Sequence, residues 1–450
     1  MSKDIRIKKG LDIKLVGEAV QTTTELSIGS TYAIKPNDFH GVVPKILAKE
    51  GTEVKAGDAL FYDKSDDRIL FPSPISGKVT EITRGERRKV LEIKISSNNK
   101  QEYSDFGKKD ANEMTAEEIK SYLLASGCWP FIKQRPYDVI ANPDKAPKAI
   151  FISAYATTPL APDYDYILKG KEAEIQTAID ALSKLTKGKI HVSVEKYGKQ
   201  SPFLNVNNIE LHGLLGPHPV GNVSTQIAQV DPINKGEVVW IVNPQDLVII
   251  GELFLTGKFN AKKTIALTGS EFKKPHYITV YSGAAIKEIT KENLITDNTR
   301  IISGNVLSGT QVFEDGFLGY YDNQITAIPE GNDYEFFGWN KPVFDKISTS
   351  RALTFSWLHP DKKYNLDTNT NGEQRAFVVT GAYEEVFPLD IYPMQLLKSC
   401  LYQDLEEMEA LGAYEIAPED FALTEFICVS KQPHQQIIRA GLDLMKNELE

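Results

Sequence analysis

The chain has 450 residues, 41% of them hydrophobic and 25% charged, with a formal net charge of −10. Such a length holds about three domains, and the composition is that of an ordinary globular protein. The acidic balance argues against general nucleic-acid binding. No segment reaches the roughly 20 apolar residues that a membrane helix needs. The longest apolar run, residues 238–255, is broken by Asn243-Pro244-Gln245-Asp246 and by Gly251-Glu252. The opening ten residues hold no apolar core of a signal peptide. Three cysteines, Cys128, Cys400 and Cys428, are too few for a disulfide framework and fit a reducing cytosol.

Residues 1 to about 100 read as all-β. Turn signals at Gly41, Glu50-Gly51, Gly57-Asp58, Pro72-Ser73-Pro74, Ser76-Gly77 and Arg84-Gly85 punctuate strand-like runs, as in a small barrel or sandwich. Residues 49–60, with Gly51 and Gly57-Asp58, resemble the lipoyl/biotinyl domain signature, as does Phe71-Pro72-Ser73-Pro74-Ile75-Ser76-Gly77. That family forms a barrel-sandwich hybrid with a modified lysine at a hairpin tip. Counting back from Pro72 puts the tip near Asp66-Asp67, so Lys64 is off register and expected as a solvated lysine. The run 84–89, Arg-Gly-Glu-Arg-Arg-Lys, is a basic tip on an acidic protein. The ordinary reading is a solvated turn; the functional one is contact with anionic lipid or an acidic partner.

Thr115-Ala116-Glu117-Glu118 is a capping box that starts a helix ending at Gly127. An α/β domain follows to about Gly257. Residues 149–154 are a buried strand. Ile175, Ile179, Leu182 and Leu185 recur at helical spacing, so residues 165–186 are expected as one amphipathic helix. Residues 189–195 and 237–242 are strands, and 245–256 a helix. Strands alternating with helices imply a mostly parallel sheet. Residues 209–211 end a strand. Residues 213–221, with Gly216-Pro217-His218-Pro219, must be a loop, because the prolines deny helix and central strand. Ser224 or Thr225 is expected to cap the next helix. A Gly/Pro/His loop before a helix is where an α/β domain tends to keep its ligand site.

Residues 264–310 turn β-rich again, with strands at 277–281, 286–289 and 299–302, as in a β-grasp module of the soluble-ligand-binding (SLBB) type. The last third starts with strand-like stretches at 334–339 and 377–380. It ends with helices over 393–411, stopped by Gly412, and over 434–449.

This order of modules resembles one family over nearly the whole chain: NqrA, the first subunit of the bacterial sodium-translocating NADH:quinone reductase. The residues that carry it are Ile7-Lys8-Lys9-Gly10-Leu11-Asp12, Gly216-Pro217-His218-Pro219-Val220-Gly221, Val230-Asp231-Pro232, Val306-Leu307-Ser308-Gly309, Phe337-Gly338-Trp339, Gly381-Ala382-Tyr383-Glu384 and Phe387-Pro388-Leu389-Asp390-Ile391. The expected architecture is an α+β multidomain chain: a barrel-sandwich hybrid over 1–105, a Rossmann-like α/β domain over 106–257, an SLBB-like β-grasp module over 258–330 and a mostly helical domain over 331–450. The resemblance implies a peripheral subunit on the cytoplasmic face of the bacterial inner membrane. It works with five other subunits in a pump that oxidises NADH, reduces a quinone and exports sodium. The complex uses NADH, FAD, FMN, riboflavin, iron–sulfur centres and quinone, and the resemblance places the prosthetic groups mostly in the other subunits.

Does this chain keep a redox centre of its own? The family is similar to the NADH- and FMN-binding subunit of respiratory complex I, which cradles phosphate in a Gly-rich loop. Glycine there lets backbone N–H groups approach an anion. The corresponding stretch here is Gly127-Cys128-Trp129-Pro130-Phe131-Ile132-Lys133, with one glycine and a tryptophan. After the strand at 149–153 those relatives carry acids, whereas Ala154-Tyr155-Ala156-Thr157-Thr158-Pro159 has none. No G-x-G-x-x-G follows a strand. Neither FMN nor NADH is therefore expected to bind this chain tightly. Cys400 and Cys428 cannot alone hold an iron–sulfur cluster, which takes four thiolates. No H-x₃-H or H-E-x-x-H pair marks a metal site.

No catalytic residue and no bound cofactor are thus expected of the isolated chain. A quinone site needs an apolar cleft with a few polar donors, for which the candidates are His212, His218, Phe336, Phe337 and Trp339. The ordinary reading of those residues is a satisfied turn and core packing. Two other functions compete: a self-sufficient NADH/flavin oxidoreductase, and a lipoyl or biotin carrier.

Overall fold

The computed structural model describes residues 3–198, 200–332, 336, 346–347, 349 and 356–449. Two short strands open the chain, β1 (Ile5–Arg6) and β2 (Val20–Glu25). By sequence they fall within the span expected for the barrel. They pair instead with strands of the next two domains, β1 in parallel at Leu214–Leu215 and β2 along residues 276–279. The first segment therefore ties three domains together before the barrel begins.

The barrel-sandwich hybrid follows: β3 (Thr31–Ile34), β4 (Pro44–Ile46), β5 (Glu53–Val54), β6 (Ala59–Asp63), β7 (Asp66–Pro72), β8 (Gly77–Arg84) and β9 (Val90–Ser97). They form two sheets, ordered β3-β9-β8-β5 and β4-β6-β7. Phe39, Phe61 and Phe71 pack between them, with Phe61 and Phe71 stacked at 4.4 Å. Lys64 and Ser65 form the turn between β6 and β7. Lys64 thus stands at the hairpin tip, and the expected tip at Asp66-Asp67 is corrected. Pairing runs Tyr62↔Leu70 and then Asp63↔Asp66, so extra residues bulge out of β7. Counting from the Pro-Ser-Pro turn could not see that bulge.

The α/β domain starts at α1 (Ala116–Ala125), with both halves of the Thr115/Glu118 capping box in place and Gly127 left-handed at its end. Then come β10 (Ile132–Arg135), β11 (Val139–Ile140), β12 (Ala149–Ser153), α2 (Tyr164–Ile167), α3 (Glu172–Ser183), β13 (Ile190–Glu195), β14 (Glu210–Leu215), α4 (Val223–Val230), β15 (Val239–Val242) and α5 (Pro244–Thr256). Gly170, at φ +80°, lies in the break that splits the single helix expected over 165–186 into α2 and α3. The sheet order is β1-β14-β13-β12-β15-β10-β11, parallel from β1 through β15 and antiparallel beyond. β14 runs on to Leu215, past the expected start of the loop. Asn222 takes the N-cap position of α4, and Ser224 and Thr225, expected there, lie buried inside the helix.

The β-grasp module holds β16 (Lys262–Thr268), β17 (His276–Tyr281), α6 (Ile286–Thr290), β18 (Thr299–Ser303), β19 (Thr310–Val312) and β20 (Gln324–Pro329), ordered β19-β18-β20-β16-β17-β2. Residues 286–289, read as strand from their β-branched content, are helical in α6. Ile286 and Ile289 are three apart and both buried, which a helix face satisfies as well as a strand does. One apolar core runs through the barrel, the α/β domain and this module.

The last described segment is helical: α7 (Ala382–Val386), α8 (Pro393–Tyr402), α9 (Leu405–Ala410), α10 (Ala422–Ile427) and α11 (His434–Leu449). Residues 377–380 join no strand, and 334–335 and 337–339 lie outside the described residues. The helix expected over 393–411 breaks at Gln403 (φ +60°), and Asp404 recaps it by accepting from the Glu407 N–H at 3.1 Å. Leu396, Leu397, Met408, Phe421, Ile438 and Met445 make a separate core, which Tyr137 and Val139 join from the α/β domain. Among the described residues no helix is long and apolar enough to cross a membrane.

Candidate functional site at the switch point of the parallel sheet

From β12 the chain moves outward to β13 and β14 on one side; β15 then lies on the other side of β12. Loops leaving two such neighbours diverge at their carboxyl ends and leave a hollow. A cavity of about 320 Å³ lies there. Ser153, Ala156, Thr157 and Thr158 line it after β12, Asn243 and Pro244 after β15, and Gly221 to Val223 at the start of α4. The β-grasp module contributes Asn305 and Tyr321 to Gln324, and the C-terminal domain Glu419. Three domains therefore meet at one crevice.

Close backbone approach builds its floor. A Cβ on Gly221 would meet the Tyr155 carbonyl oxygen at 2.5 Å and Thr157 Oγ1 at 2.7 Å, so only glycine lets α4 start this near the loop after β12. The Gly221 N–H donates to Thr157 Oγ1 at 3.0 Å, and Ser153 Oγ donates to the Gly221 carbonyl at 2.8 Å. Asn243 and Asn323 both donate to Tyr164 Oη, at 3.0 and 3.3 Å. Lys133 Nζ lies 4.1 Å above the Tyr321 ring, a cation–π contact.

The charges are mixed and mostly paired. Lys133 and Arg135 line the crevice against Asp138, Asp246, Asp322 and Glu419. Arg135, 2% exposed, pairs with Asp138 and holds Glu419 at 3.2 Å. Burial pushes the Glu419 carboxyl up, against the pull of Arg135, and Asp420 beside it adds to the push. Lys263 and Asp246 form a sealed pair at 2.6 Å, 1% and 2% exposed, and burial still raises the Asp246 carboxyl. Asp420 lies beside Asn222 and Ser224 at the first turn of α4. A protein carboxylate thus already stands at the helix terminus that would otherwise favour a phosphate.

The candidates from the sequence do not converge on one place. His218 is buried in the loop after β14, with Nδ1 3.1 Å from Thr157 Oγ1, one side chain behind the crevice wall. Its N–H donates to Asp12 at 2.9 Å and its carbonyl accepts from Leu11 at 2.8 Å, and burial holds its imidazole down to about 4. A Cβ on Gly10, at φ +146°, would meet that carbonyl oxygen at 2.2 Å, so two stretches that carried the resemblance, 7–12 and 216–221, are locked together. His212 lies on β14 and faces His191, away from the crevice lining. Phe336 is 86% exposed, and Phe337 and Trp339 lie outside the described residues. Sequence reasoning missed Lys133, Arg135, Glu419 and Tyr321. The one local signal is the loop at 154–159, which lacks acids and whose Ala156, Thr157 and Thr158 line the crevice.

The stretch compared with a phosphate cradle is filled. Trp129 is fully buried, donates Nε1–H to the Ala141 carbonyl at 2.7 Å and meets Trp240 edge-on at 5.4 Å. All three cysteines are buried and unpaired as disulfides. Burial raises the Cys128 and Cys400 thiols to about 12, and Cys428 Sγ lies 2.9 Å from Tyr383 Oη. A larger hollow of about 650 Å³ lies between the Lys64 hairpin and Lys446, but it is lined largely by charged groups already engaged with one another, such as Asp66, Arg68 and Asp144.

Fold and crevice define a multidomain α/β protein whose ligand hollow is assembled from three domains. Residues 5–98 match the model of the NqrA N-terminal barrel-sandwich hybrid domain, 114–259 that of the NqrA second alpha/beta domain, and 264–314 that of the NQRA C-terminal domain, of the SLBB type. Curated relatives match from end to end. The A subunit of the Na(+)-translocating NADH-quinone reductase of Neisseria meningitidis serogroup A is 37% identical over 449 residues, covering 99% of this chain and 100% of the relative. The protein of the same name from Vibrio atlanticus is 35% identical over 448 residues, with the same coverage. The chain belongs to the NqrA family of Na(+)-translocating NADH-quinone reductase subunits.

Proposed function

We propose that this chain is a peripheral subunit of a membrane complex that couples NADH oxidation and quinone reduction to sodium export. It carries no flavin, nicotinamide or iron–sulfur group of its own, and its crevice contributes to quinone binding. The relatives' names describe such a reductase, and the chain would sit on the cytoplasmic face with the other five subunits.

The observation that carries the quinone reading is the charge of the crevice. Four carboxylates face two cations there, and Asp420 holds the α4 N-terminus. Dinucleotide phosphates would meet acids. A neutral ring with two carbonyl oxygens needs only a few donors and some aromatic or apolar wall, which Asn243, Thr157, Asn305 and Tyr321 supply. About 320 Å³ holds a head group and leaves a long tail outside.

Photo-crosslinking a quinone analogue to the assembled complex tests this. Label on Lys133, Thr157 or Tyr321 supports the reading, and label confined to other subunits removes it. Deleting the subunit should abolish quinone reduction by membranes while NADH oxidation with artificial acceptors partly survives. A flavin absorption band in the purified chain would instead show a self-sufficient oxidoreductase. Lys64, exposed at a hairpin tip, is the one observation that favours a carrier arm. An unmodified intact mass from the native source disposes of it.

A further inference from the structure

Parallel pairing of β13 with β14 sets His191 opposite Glu210 and Ser193 opposite His212. Residues two apart on a strand share a face, so His191, Glu210 and His212 project to the same side of the sheet. His191 Nδ1 and His212 Nε2 lie 3.0 Å apart, and Glu210 Oε2 lies 3.8 Å from His191 Nδ1. One donor atom from each of the three falls within 4.8 Å of the others. We propose that His191, His212 and Glu210 form a binding site for one divalent transition-metal ion, zinc or a chemically similar ion.

Two imidazole nitrogens pointed at each other need a cation between them, a proton or a metal. Lys3 decides which forms are open to His212. Its backbone N lies 3.0 Å from His212 Nδ1 and its carbonyl oxygen 3.2 Å from the same atom. With the proton on Nε2, His212 accepts from the Lys3 N–H and donates to His191. With the proton on Nδ1, it donates to the Lys3 carbonyl, and Nε2 turns a lone pair toward His191. The second form is the arrangement of a metal-bound histidine, whose other ring nitrogen donates to a backbone carbonyl. The backbone is thus placed to support either state without moving.

The dimensions suit a tetrahedral ion. Two ligands at about 2.0–2.1 Å from zinc stand roughly 3.3 Å apart, so the rings need to part by about 0.3 Å. Both histidines are buried, and burial holds His191 down to about 4 and lowers His212, which keeps their lone pairs available at neutral pH. Glu210 is half-buried, with Lys189 3.8 Å from its other oxygen, and marks the side from which an ion enters. Three protein donors leave the fourth position to water. The site lies near the amino ends of β13 and β14, apart from the crevice at the carboxyl ends, and bound metal would clamp both strands and, through Lys3, the segment leading into β1.

The test uses the full chain, free of any affinity tag and stripped with a chelator. Zinc is titrated by calorimetry and cobalt(II) by visible absorption. The expected result is one saturable ion per chain, a tetrahedral cobalt band, and a higher melting temperature in zinc than in EDTA. Glu210→Gln sits at the rim and should fold; its zinc affinity should fall on the order of a hundredfold, with its melting temperature in EDTA unchanged. His191→Gln should lose the cobalt band. Absence of saturable uptake in the parent chain, or equal uptake by parent, Glu210→Gln and His191→Gln, overturns the site. An octahedral cobalt spectrum overturns it as well, because that ion would sit on surface carboxylates.

Discussion

The two ends of the parallel sheet are built on opposite plans. At the carboxyl ends of β12 and β15, loops diverge, α4 begins, and two further domains lean in with charged and amide groups. At the amino ends of β13 and β14, two buried histidines face each other within the sheet itself. Strand topology hands the carboxyl end a hollow and helix termini without any special residue. The amino end has neither, so anything bound there must be held by side chains placed across the strands. Hence a carboxyl-end site can change its ligand by changing loops, while an amino-end site depends on register.

The strongest way to break this comparison is Arg135→Met. It leaves Asp138, Glu419 and Asp420 crowded without their cation, and should cost about 3–5 kcal/mol in chemical unfolding. A near-neutral result would mean that the carboxyl end is not organised by charge.

The next effect is a pH dependence at the same end. His218 is neutral in the folded chain, its pKa held at about 4 against 6.5 for the free side chain. Its stabilising share is full above pH 6.5 and is lost as pH falls toward 4, because only the unfolded chain takes up the proton. The parent chain should therefore lose on the order of 3 kcal/mol relative to His218→Gln between pH 7 and 4, read from unfolding curves of both. Parallel curves would show that His218 is not sealed behind Thr157.

At the amino end the effect depends on the ion. Zinc at about a hundredfold over its dissociation constant should add about 2.7 kcal/mol to the parent chain, and nothing comparable to His191→Gln. The smallest prediction is a control away from both ends. Thr115→Ala removes the cap of α1 and should cost about 1 kcal/mol whatever the pH or metal.

How much of this could be read from the chain alone? Sequence by itself determined what neighbours within a few positions decide. The Thr115/Glu118 cap, the buried strands β12, β13 and β15, helix α5 and the stop at Gly127 all follow from spacing and turn chemistry, which act over one or two turns of backbone. The filled cradle at Trp129 was equally legible, because bulk in place of glycine is a local fact. The stretches that carry the family resemblance are likewise short and contiguous, such as 7–12 and 216–221.

Tertiary structure alone decided the rest. Periodicity shows that residues 165–186 and 393–411 have apolar faces, but not that Gly170 and Gln403 fall in the breaks that fold those faces around corners. Counting could not place Lys64 at its hairpin tip, since the bulge in β7 appears only in the pairing. The crevice draws Lys133, Tyr321 and Glu419 from three domains, and His191 meets His212 across 21 positions only because two parallel strands share a register. Local rules fix which way a side chain faces along its own strand or helix. Which distant side chain it then faces depends on how sheets pair and domains pack, and no pattern within a short window carries that information.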